Sequence, residues 1–465
     1  MFAGYSKVSI VPPQGKITLC GFAARCNKPA EGVDDDIFVH ALVFKDDNGQ
    51  AAACLAFDLL GLSEEMTEQV HKKLDSLQNF NVPRSNRAFA STHTHSAPAA
   101  MKLIGCGIIE KEYCNQLVTA AADAAAAAMK GMQPAVMRIA EVPLIGNSYN
   151  RRKVMENGKV AMTQNPIGKI VRSGAECKEA QFLRFERPDG TPIMGICNWA
   201  AHACTVCGNK VSGDFPGELS RQLSARFKMP FVYLQGASGD LNPPFKKMNR
   251  QEMLDNVAAI MAKITAINWS EPVSVGGFHI VDKVLRLKYQ PVQSDKALEE
   301  STKGMKLIAS TGTGPKEQLD ELANVLNVEP GKQPDPEMLR YIAAILGQWS
   351  EELLKTPDKS LFEGCDLSIK VWRFGKVVFC FVGAEVFYET ALAVKNAFPE
   401  FDVIFVGYGS PQRGYLPTDQ ALDDGGYEVD YAYRFYGHPA GFAKGSEPAA
   451  RKMLMDAVSS TINNI

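Results

Sequence analysis

An α/β fold is predicted: a mixed-sheet sandwich with helices on the outside, one large domain over 1–465 carrying a helical insertion at 290–362. Three observations predict it. Short apolar runs bounded by turn residues alternate with amphipathic helical stretches in a β-α-β-α rhythm, which favours a partly parallel core sheet. The turns Asp46-Asp47-Asn48-Gly49 and Pro188-Asp189-Gly190 each join two apolar runs, adding antiparallel hairpins. Between 295 and 359 the pattern changes to two or three helical segments, broken at Gly312-Thr313-Gly314-Pro315 and Glu329-Pro330-Gly331-Lys332-Gln333-Pro334.

Taken in order, residues 8–12 read as a short strand stopped by a Pro-Pro turn, and 35–44 with 50–57 as the first hairpin, ending at Asp58. Ser63, followed by Glu64 and Glu65, opens an amphipathic helix to about Leu77. Residues 87–92 are a buried strand emerging into a loop closed by Pro98, and 111–129 a long helix rich in alanine. A strand at 137–142 precedes a polar loop running from Asn147 to Asn165-Pro166. The second hairpin, 182–186 with 193–199, delivers Asn198-Trp199-Ala200-Ala201-His202. Pro216 suits the first turn of a helix through Phe227. The strand 231–234 runs out into Gln235-Gly236-Ala237-Ser238-Gly239-Asp240-Leu241-Asn242-Pro243. Polar residues at glycine-rich strand ends are where α/β sheets hold their chemistry. The insertion follows, placed to cover that site. Strands resume at 367–374 and 377–382, and Gly383-Ala384-Glu385 reads as the start of a helix to about Phe398. On that reading Glu385 is a first-turn carboxylate favoured by the helix dipole. A last strand at 403–407, a tyrosine-rich loop over 408–436 and a helix capped at Ser446 close the chain.

Composition excludes several classes. At 465 residues and 46% hydrophobic content the chain buries a large core, and a net charge of -2 without a long basic run argues against a nucleic-acid partner. No apolar segment approaches the length of a membrane span. The N-terminal residues lack a charged segment followed by an apolar run, so no signal peptide is expected. Eleven cysteines, an odd count, then point to reduced thiols and a cytoplasmic protein. Cys204-Thr205-Val206-Cys207 has no second CxxC to complete a zinc site and is read as core packing.

The stretch Ser91-Thr92-His93-Thr94-His95-Ser96-Ala97-Pro98 carries the chemistry. Side chains two apart on a strand share a face, so His93 and His95 project together from its end. Neutral imidazole is the commonest metal ligand, and two on one face begin a transition-metal site. The plainer alternative is a histidine pair satisfied by hydrogen bonds at a polar sheet edge.

Four stretches together resemble the neutral ceramidase family of zinc amidases: the His-x-His segment, Asn198 to His202 with Ser212-Gly213-Asp214, Gly236 to Pro243, and Gly383-Ala384-Glu385 with Gly414-Tyr415-Leu416-Pro417-Thr418. The similarity extends over nearly the whole chain as a catalytic domain, with the family's terminal immunoglobulin-like domain expected to be missing. The resemblance implies one Zn2+ held by His93, His202, Glu385 and Tyr415. It places His95 beside the metal as a hydrogen-bonding or proton-transfer group, points Arg151 at the substrate and makes Tyr427 a donor to the developing oxyanion. One departure stands out. Where the family's loop reads Gly-Asp-x-Ser-Pro, this chain has Gly239-Asp240-Leu241-Asn242-Pro243. The amide of Asn242 cannot act as the serine would, which counts against a covalent mechanism and against ceramide itself.

The remaining chemistry is self-consistent. Zinc takes four ligands with an exchangeable position for water, and bound water is acidified to a pKa of about 7. Tyr427 and Arg151 would stabilise the tetrahedral oxyanion. His95 or Asp240 would carry the proton to the leaving amine, a step worth about 100- to 10,000-fold. Asn242 could hold a polar group of the substrate. For three members other readings stay open: Tyr415 as a loop-packing residue, Arg151 as a surface residue, and Tyr431, Tyr433 or Tyr436 in place of Tyr427. Asp214 and Asp58 are expected to orient ligands or loops. The expected activity is hydrolysis of the amide bond of a small N-acyl substrate by metal-activated water. The alternatives are an esterase or lactonase on the same site, or a non-catalytic ligand-binding relative. A TIM-barrel amidohydrolase would need further motif histidines, and downstream of the pair only His202, His279 and His438 remain. A cysteine hydrolase built on Cys204 and His202 places both groups too close in one loop.

Overall fold

The computed structural model describes residues 1–13, 17–264, 266–328 and 332–462. Glu329, Pro330 and Gly331 of the second helix-breaking segment lie outside them. Three mixed sheets form the interior. The first aligns Arg87–Ser91, Ala51–Phe57, Phe38–Lys45, Phe2–Ser9 and Gln133–Pro134. The second aligns Phe231–Gln235, Pro192–Trp199, Glu179–Glu186 and Val136–Pro143, and the third Phe278–Lys288, Gly364–Phe374, Val377–Val382 and Asp402–Val406.

Strand alternation sorts the side chains of each sheet between two buried faces. From the first sheet, Leu42, Phe44, Ala88 and Ala90 join Leu183 and Phe185 of the second and Trp372 and Phe381 of the third in one shared core. The opposite face of the first sheet, with Val43, Leu55 and Phe89, packs on helices Glu64–Asp75 and Lys111–Lys130. The outer faces of the other two sheets receive Leu219, Val257, Val394 and Leu454 from four further helices. Sheets inside and helices outside is the predicted class. Among the described residues no helix is long and apolar enough to cross a membrane.

Helices Asp295–Thr311, Lys316–Val325 and Pro336–Lys355 occupy the stretch that the sequence marks as helical. Their apolar faces pack on Leu103, Ile104 and Cys106, with Tyr427 and Tyr436 against the same cluster.

Several local expectations are corrected. The first strand is Phe2–Ser9, paired along its whole length with Phe38–Lys45. Among the described residues its other edge pairs only with Gln133–Pro134, so Lys7 stays exposed and the segment looks polar in sequence. The polar loop after Asn147 is instead strands: Tyr149–Asn150 pairs with Leu241–Asn242, and Arg152–Met155, Val160–Met162 and Ile170–Ser173 form a three-stranded ribbon. Its polarity misled because Arg152 is buried and satisfied by Glu428. Glu385 does not open a helix. It lies on the two-residue strand Glu385–Val386, parallel to Tyr415–Leu416, and the helix begins at Tyr388. The helix Arg250–Lys263, capped by Asn249 Oδ1 accepting from the Glu252 amide at 3.0 Å, was not anticipated.

Candidate metal centre and active site

Each sheet contains one parallel pair, and the carboxyl ends of those pairs meet. The Ser91 amide donates to Tyr408 O at 3.1 Å, the Gly407 amide to Gln235 O at 3.0 Å, and the Gly236 amide to Trp199 O at 2.9 Å. These bonds bring the segments after Ser91, Trp199, Gln235, Val382 and Val406 to one place, the usual location of function in open α/β sheets. Two glycines allow the close approach. A Cβ on Gly239 would lie 2.5 Å from Glu385 O, and one on Gly21, at φ +114°, would lie 2.6 Å from His95 Cγ.

His93 does not continue the strand, which ends at Ser91. It adopts a left-handed conformation at φ +63°, strain that persists only where the surroundings enforce it. The Leu59 carbonyl accepts its amide at 2.9 Å. The Leu60 carbonyl lies 2.8 Å from Nδ1, so Nδ1 carries the proton and the Nε2 lone pair faces inward. There it meets Glu385 Oε2 at 3.2 Å. Neither atom has a hydrogen bond, and both side chains are at most 1% exposed. His202 is held the same way, Nδ1 donating to Ser238 O at 3.2 Å, and its Nε2 stands 3.1 Å from His95 Nε2. The ligand atoms of His93, His95 and His202 all lie within 4.8 Å of one another. Buried polar atoms without partners are costly, and three imidazole nitrogens gathered together, with a carboxylate against one of them, suit a borderline cation such as zinc. The residues present fit a metal.

Burial holds His95 and His202 well below the usual 6.5, with neighbouring charge acting the same way, so both are neutral at pH 7. The unfolded chain therefore binds more protons as pH falls through about 6.5, and stability is lost in that direction.

Around this group stand tyrosines and one guanidinium. Tyr436 donates its hydroxyl to Glu385 Oε1. The Tyr408 ring lies 4.2 Å from that of His93, and its hydroxyl oxygen accepts from Ser238 Oγ at 2.9 Å. Arg151 is buried, not superficial. It donates to Glu428 Oε1 at 2.8 Å, Tyr415 Oη at 3.0 Å and Asn242 Oδ1 at 3.3 Å. Tyr415 faces the group, its ring stacked 6.5 Å from that of His202, and Tyr427 sits 6.2 Å beyond it. Burial raises the phenols of Tyr415, Tyr427 and Tyr436 above their ordinary value, leaving all three protonated as donors.

The structure thus gathers His93, His95, His202, Glu385, Tyr415, Arg151 and Asn242. Asp240 is differently engaged. Its carboxylate accepts from Asn150 Nδ2 at 2.6 Å and the Tyr388 amide at 2.9 Å, while burial pushes it up to about 6. Asp214 accepts from the Thr205 amide at 2.9 Å and the Val206 amide at 3.1 Å, fixing the loop after His202. Asp58 accepts from the Phe38 amide at 2.9 Å. Cys204 and Cys207 are free thiols, Cys204 buried with Sγ 3.9 Å from Asn242 Oδ1. Tyr408 was not foreseen, and of the tyrosines near Tyr427 it is Tyr436 that reaches the carboxylate. The only sequence signal for either was the density of tyrosine after Val406.

The sequence model for the N-terminal part of neutral/alkaline non-lysosomal ceramidases matches residues 2–235, just over half of the chain and inclusive of His93, His95, Arg151 and His202. The chain belongs to that family. Its fold is similar to that of the neutral ceramidase from Pseudomonas aeruginosa, at 17% identity and TM-score 0.66, over 99% of this chain and 74% of that one. A ceramidase complexed with C2 is similar at 18% identity and TM-score 0.67, over 99% and 75%. No curated protein matches in sequence. Membership supports hydrolase activity for this ceramidase-family chain, and the buried histidine group gives it a place for a metal.

Proposed function

We propose that this protein is a zinc-dependent amidase cleaving the carbon–nitrogen bond of an N-acylated substrate, with water as nucleophile. The observation that carries the reading is the pair of orphaned buried atoms, His93 Nε2 and Glu385 Oε2, aimed at each other beside two further imidazoles. His93, His202 and Glu385 would hold the ion, with Tyr415 at its edge. A bound zinc supplies an acidified water and a polarised carbonyl. The rest falls to the chain. Arg151, fixed at three points, presents positive charge where the carbonyl oxygen becomes anionic, and Tyr427 supplies a neutral donor on the same side. His95, neutral and half-buried beside His202, would take a proton from the attacking water and return it to the leaving amine. Asp240 serves by holding Asn150, next to Arg151, and the start of the helix that follows Glu385. Asn242 in the place of the family's serine favours direct attack by water over an acyl-enzyme.

The test is metal analysis coupled to a substrate screen. Purified protein should carry about one zinc per chain, and His93→Ala should remove both the metal and hydrolysis of N-acyl amino acids or other simple amides. A metal-free preparation that hydrolyses amides at the full rate would overturn the reading. Tyr436→Phe keeps the ring but removes the bond to Glu385 Oε1. Metal affinity is expected to fall roughly 10- to 100-fold, the usual cost of losing a partner that orients a ligand. Competition with a chromophoric chelator measures it.

A further inference from the structure

The apolar strand Phe231–Gln235 ends in a glutamine that is 0% exposed, a place where a hydrophobic side chain would be the ordinary occupant. A buried amide is costly unless its hydrogen bonds are made. Gln235 makes them in an unusual place. Its Nε2 donates to Thr92 O at 3.2 Å and to Ala201 O at 2.8 Å, and its Oε1 lies 3.1 Å from the Tyr233 hydroxyl. Two carbonyl partners fix which end of the amide is which, since only the nitrogen can donate to them. The two protons of one planar NH2 group thus join two separate segments of the chain.

Those segments carry His93 and His202. A peptide unit is planar from one Cα to the next, so Thr92 O and the His93 amide move together, as do Ala201 O and the His202 amide. Gln235 holds the carbonyl end of each unit. At the other end Leu59 O accepts from the His93 amide and Leu241 O from the His202 amide, both at 2.9 Å. Each unit is therefore pinned at both ends, and one side chain supplies a pin to both. The left-handed His93, at φ +63°, starts from the first of these units, and its ring lies 4.6 Å from that of His202. The bond from the His95 amide to Ala203 O, at 3.1 Å, ties the same segments together beyond both histidines.

We infer that Gln235 is a positioning residue for the metal group: it sets the spacing of His93 and His202 by joining the peptide units from which both start. Zinc–imidazole bonds are about 2.0–2.1 Å long, so a small drift of one ring relative to the other weakens the pair as ligands. A pair held at the right separation before the ion arrives binds it without the cost of ordering. The inference rests on the part of the amidase reading that makes His93 and His202 ligands, and not on which bond is cleaved.

The test uses the full-length protein with zinc and cobalt(II) as probes. Gln235→Met keeps the length of the side chain and removes both donors. Gln235→Glu, its carboxyl kept neutral by burial against two carbonyls, keeps one. Zinc affinity, read by chelator competition, should fall from Gln to Glu to Met, with the Met variant roughly 10- to 100-fold weaker than wild type. The visible bands of the cobalt-loaded protein should shift in the same order, and kcat should fall while KM holds. The control is Asn86, a buried amide at the far end of the strand that leads to His93, whose Nδ2 donates to Ala51 O at 2.9 Å. Asn86→Leu should lower the melting temperature of the metal-free protein, as Gln235→Met does, yet keep the zinc affinity and cobalt spectrum of wild type. Wild-type zinc affinity in Gln235→Met overturns the inference. So does an equal loss of affinity in Asn86→Leu, which makes the effect one of general stability. Should Gln235→Met not fold, the Glu variant decides: weaker zinc binding with an altered cobalt spectrum upholds the inference, and wild-type values overturn it. A wild type that binds zinc but cleaves no amide, with the graded loss intact, upholds the positioning role and removes the amidase reading. A wild type that takes up neither metal removes both.

Discussion

Glu385→Gln is expected to abolish metal binding and, with it, turnover, while leaving the metal-free fold as stable as before or more so. The two halves of this expectation come from the same carboxylate. It is fully buried, with Oε1 accepting from Tyr436 and Oε2 3.2 Å from His93 Nε2 and 3.9 Å from His202 Nδ1. Without an ion this is a fully buried carboxyl group packed against imidazoles, an arrangement that costs desolvation. Replacing the charge by an isosteric amide relieves that cost and retains the acceptor for Tyr436. With an ion, the same charge is the anionic member of an otherwise neutral donor set. Its loss should lower affinity by more than the roughly 10- to 100-fold expected of an orienting partner. Chelator competition reads the affinity and thermal melting reads the fold. A Gln variant that binds zinc as wild type does would move the ligand set away from Glu385. One that melts far below metal-free wild type would make the residue structural.

Much of this site was legible before any coordinates, and the part that was not has a physical cause. His93 and His202 each follow closely on a strand recognisable by its apolar run, and the segments after such strands carry polar residues for a reason sequence can state. The convergence is not local, however. It depends on which strands pair in parallel, and pairings such as Val377–Val382 with Asp402–Val406 are set by long-range packing that no periodicity reveals. The His-x-His spacing was sound while its geometric reason was not. The strand stops at Ser91, and the rings meet at 4.9 Å because His93 is left-handed and the Ala203 carbonyl holds the His95 amide at 3.1 Å. Glu385 was misplaced onto a helix because Gly383-Ala384-Glu385 has the composition of a helix start. The bond from its amide to Gly414 O at 2.8 Å, made by a segment far along the chain, selects the strand instead. The polar run from Asn147 hid a ribbon for a related reason, since the buried acid that satisfies Arg152 follows it by hundreds of residues. Sequence polarity reports exposure only where such a partner is absent.

Glu428→Gln should be the most destabilising single change among the site's supporting residues, at about 3–5 kcal/mol. Its carboxylate is 0% exposed and pairs at once with Arg151, 4% exposed, and Arg152, 6% exposed. Exposed ion pairs contribute about 0–1 kcal/mol because water replaces them cheaply. Here water has no access, and removing the shared anion leaves two buried guanidiniums to face low dielectric. Arg152 keeps a bond to Gly425 O, and Arg151 keeps Asn242 and Tyr415, so the loss is partial and the fold should survive. The midpoint in urea measures it. The pH dependence gives an independent sign. Burial alone would raise the Glu428 carboxyl, but Arg152 and Arg151 overcome it and hold it below its ordinary 4.5. Its contribution is therefore full above the unfolded value and lost as pH falls through the lower folded one. Wild type should lose stability in that acid window and the Gln variant should lose less. Arg151→Lys separates the two roles of the cluster. A single ammonium retains the charge opposite Glu428 but cannot hold Glu428, Asn242 and Tyr415 together in one plane. Its stability should fall by less than that of Glu428→Gln while kcat falls by more. If kcat instead tracks stability across both variants, Arg151 acts only as scaffolding and the oxyanion must be held by other donors.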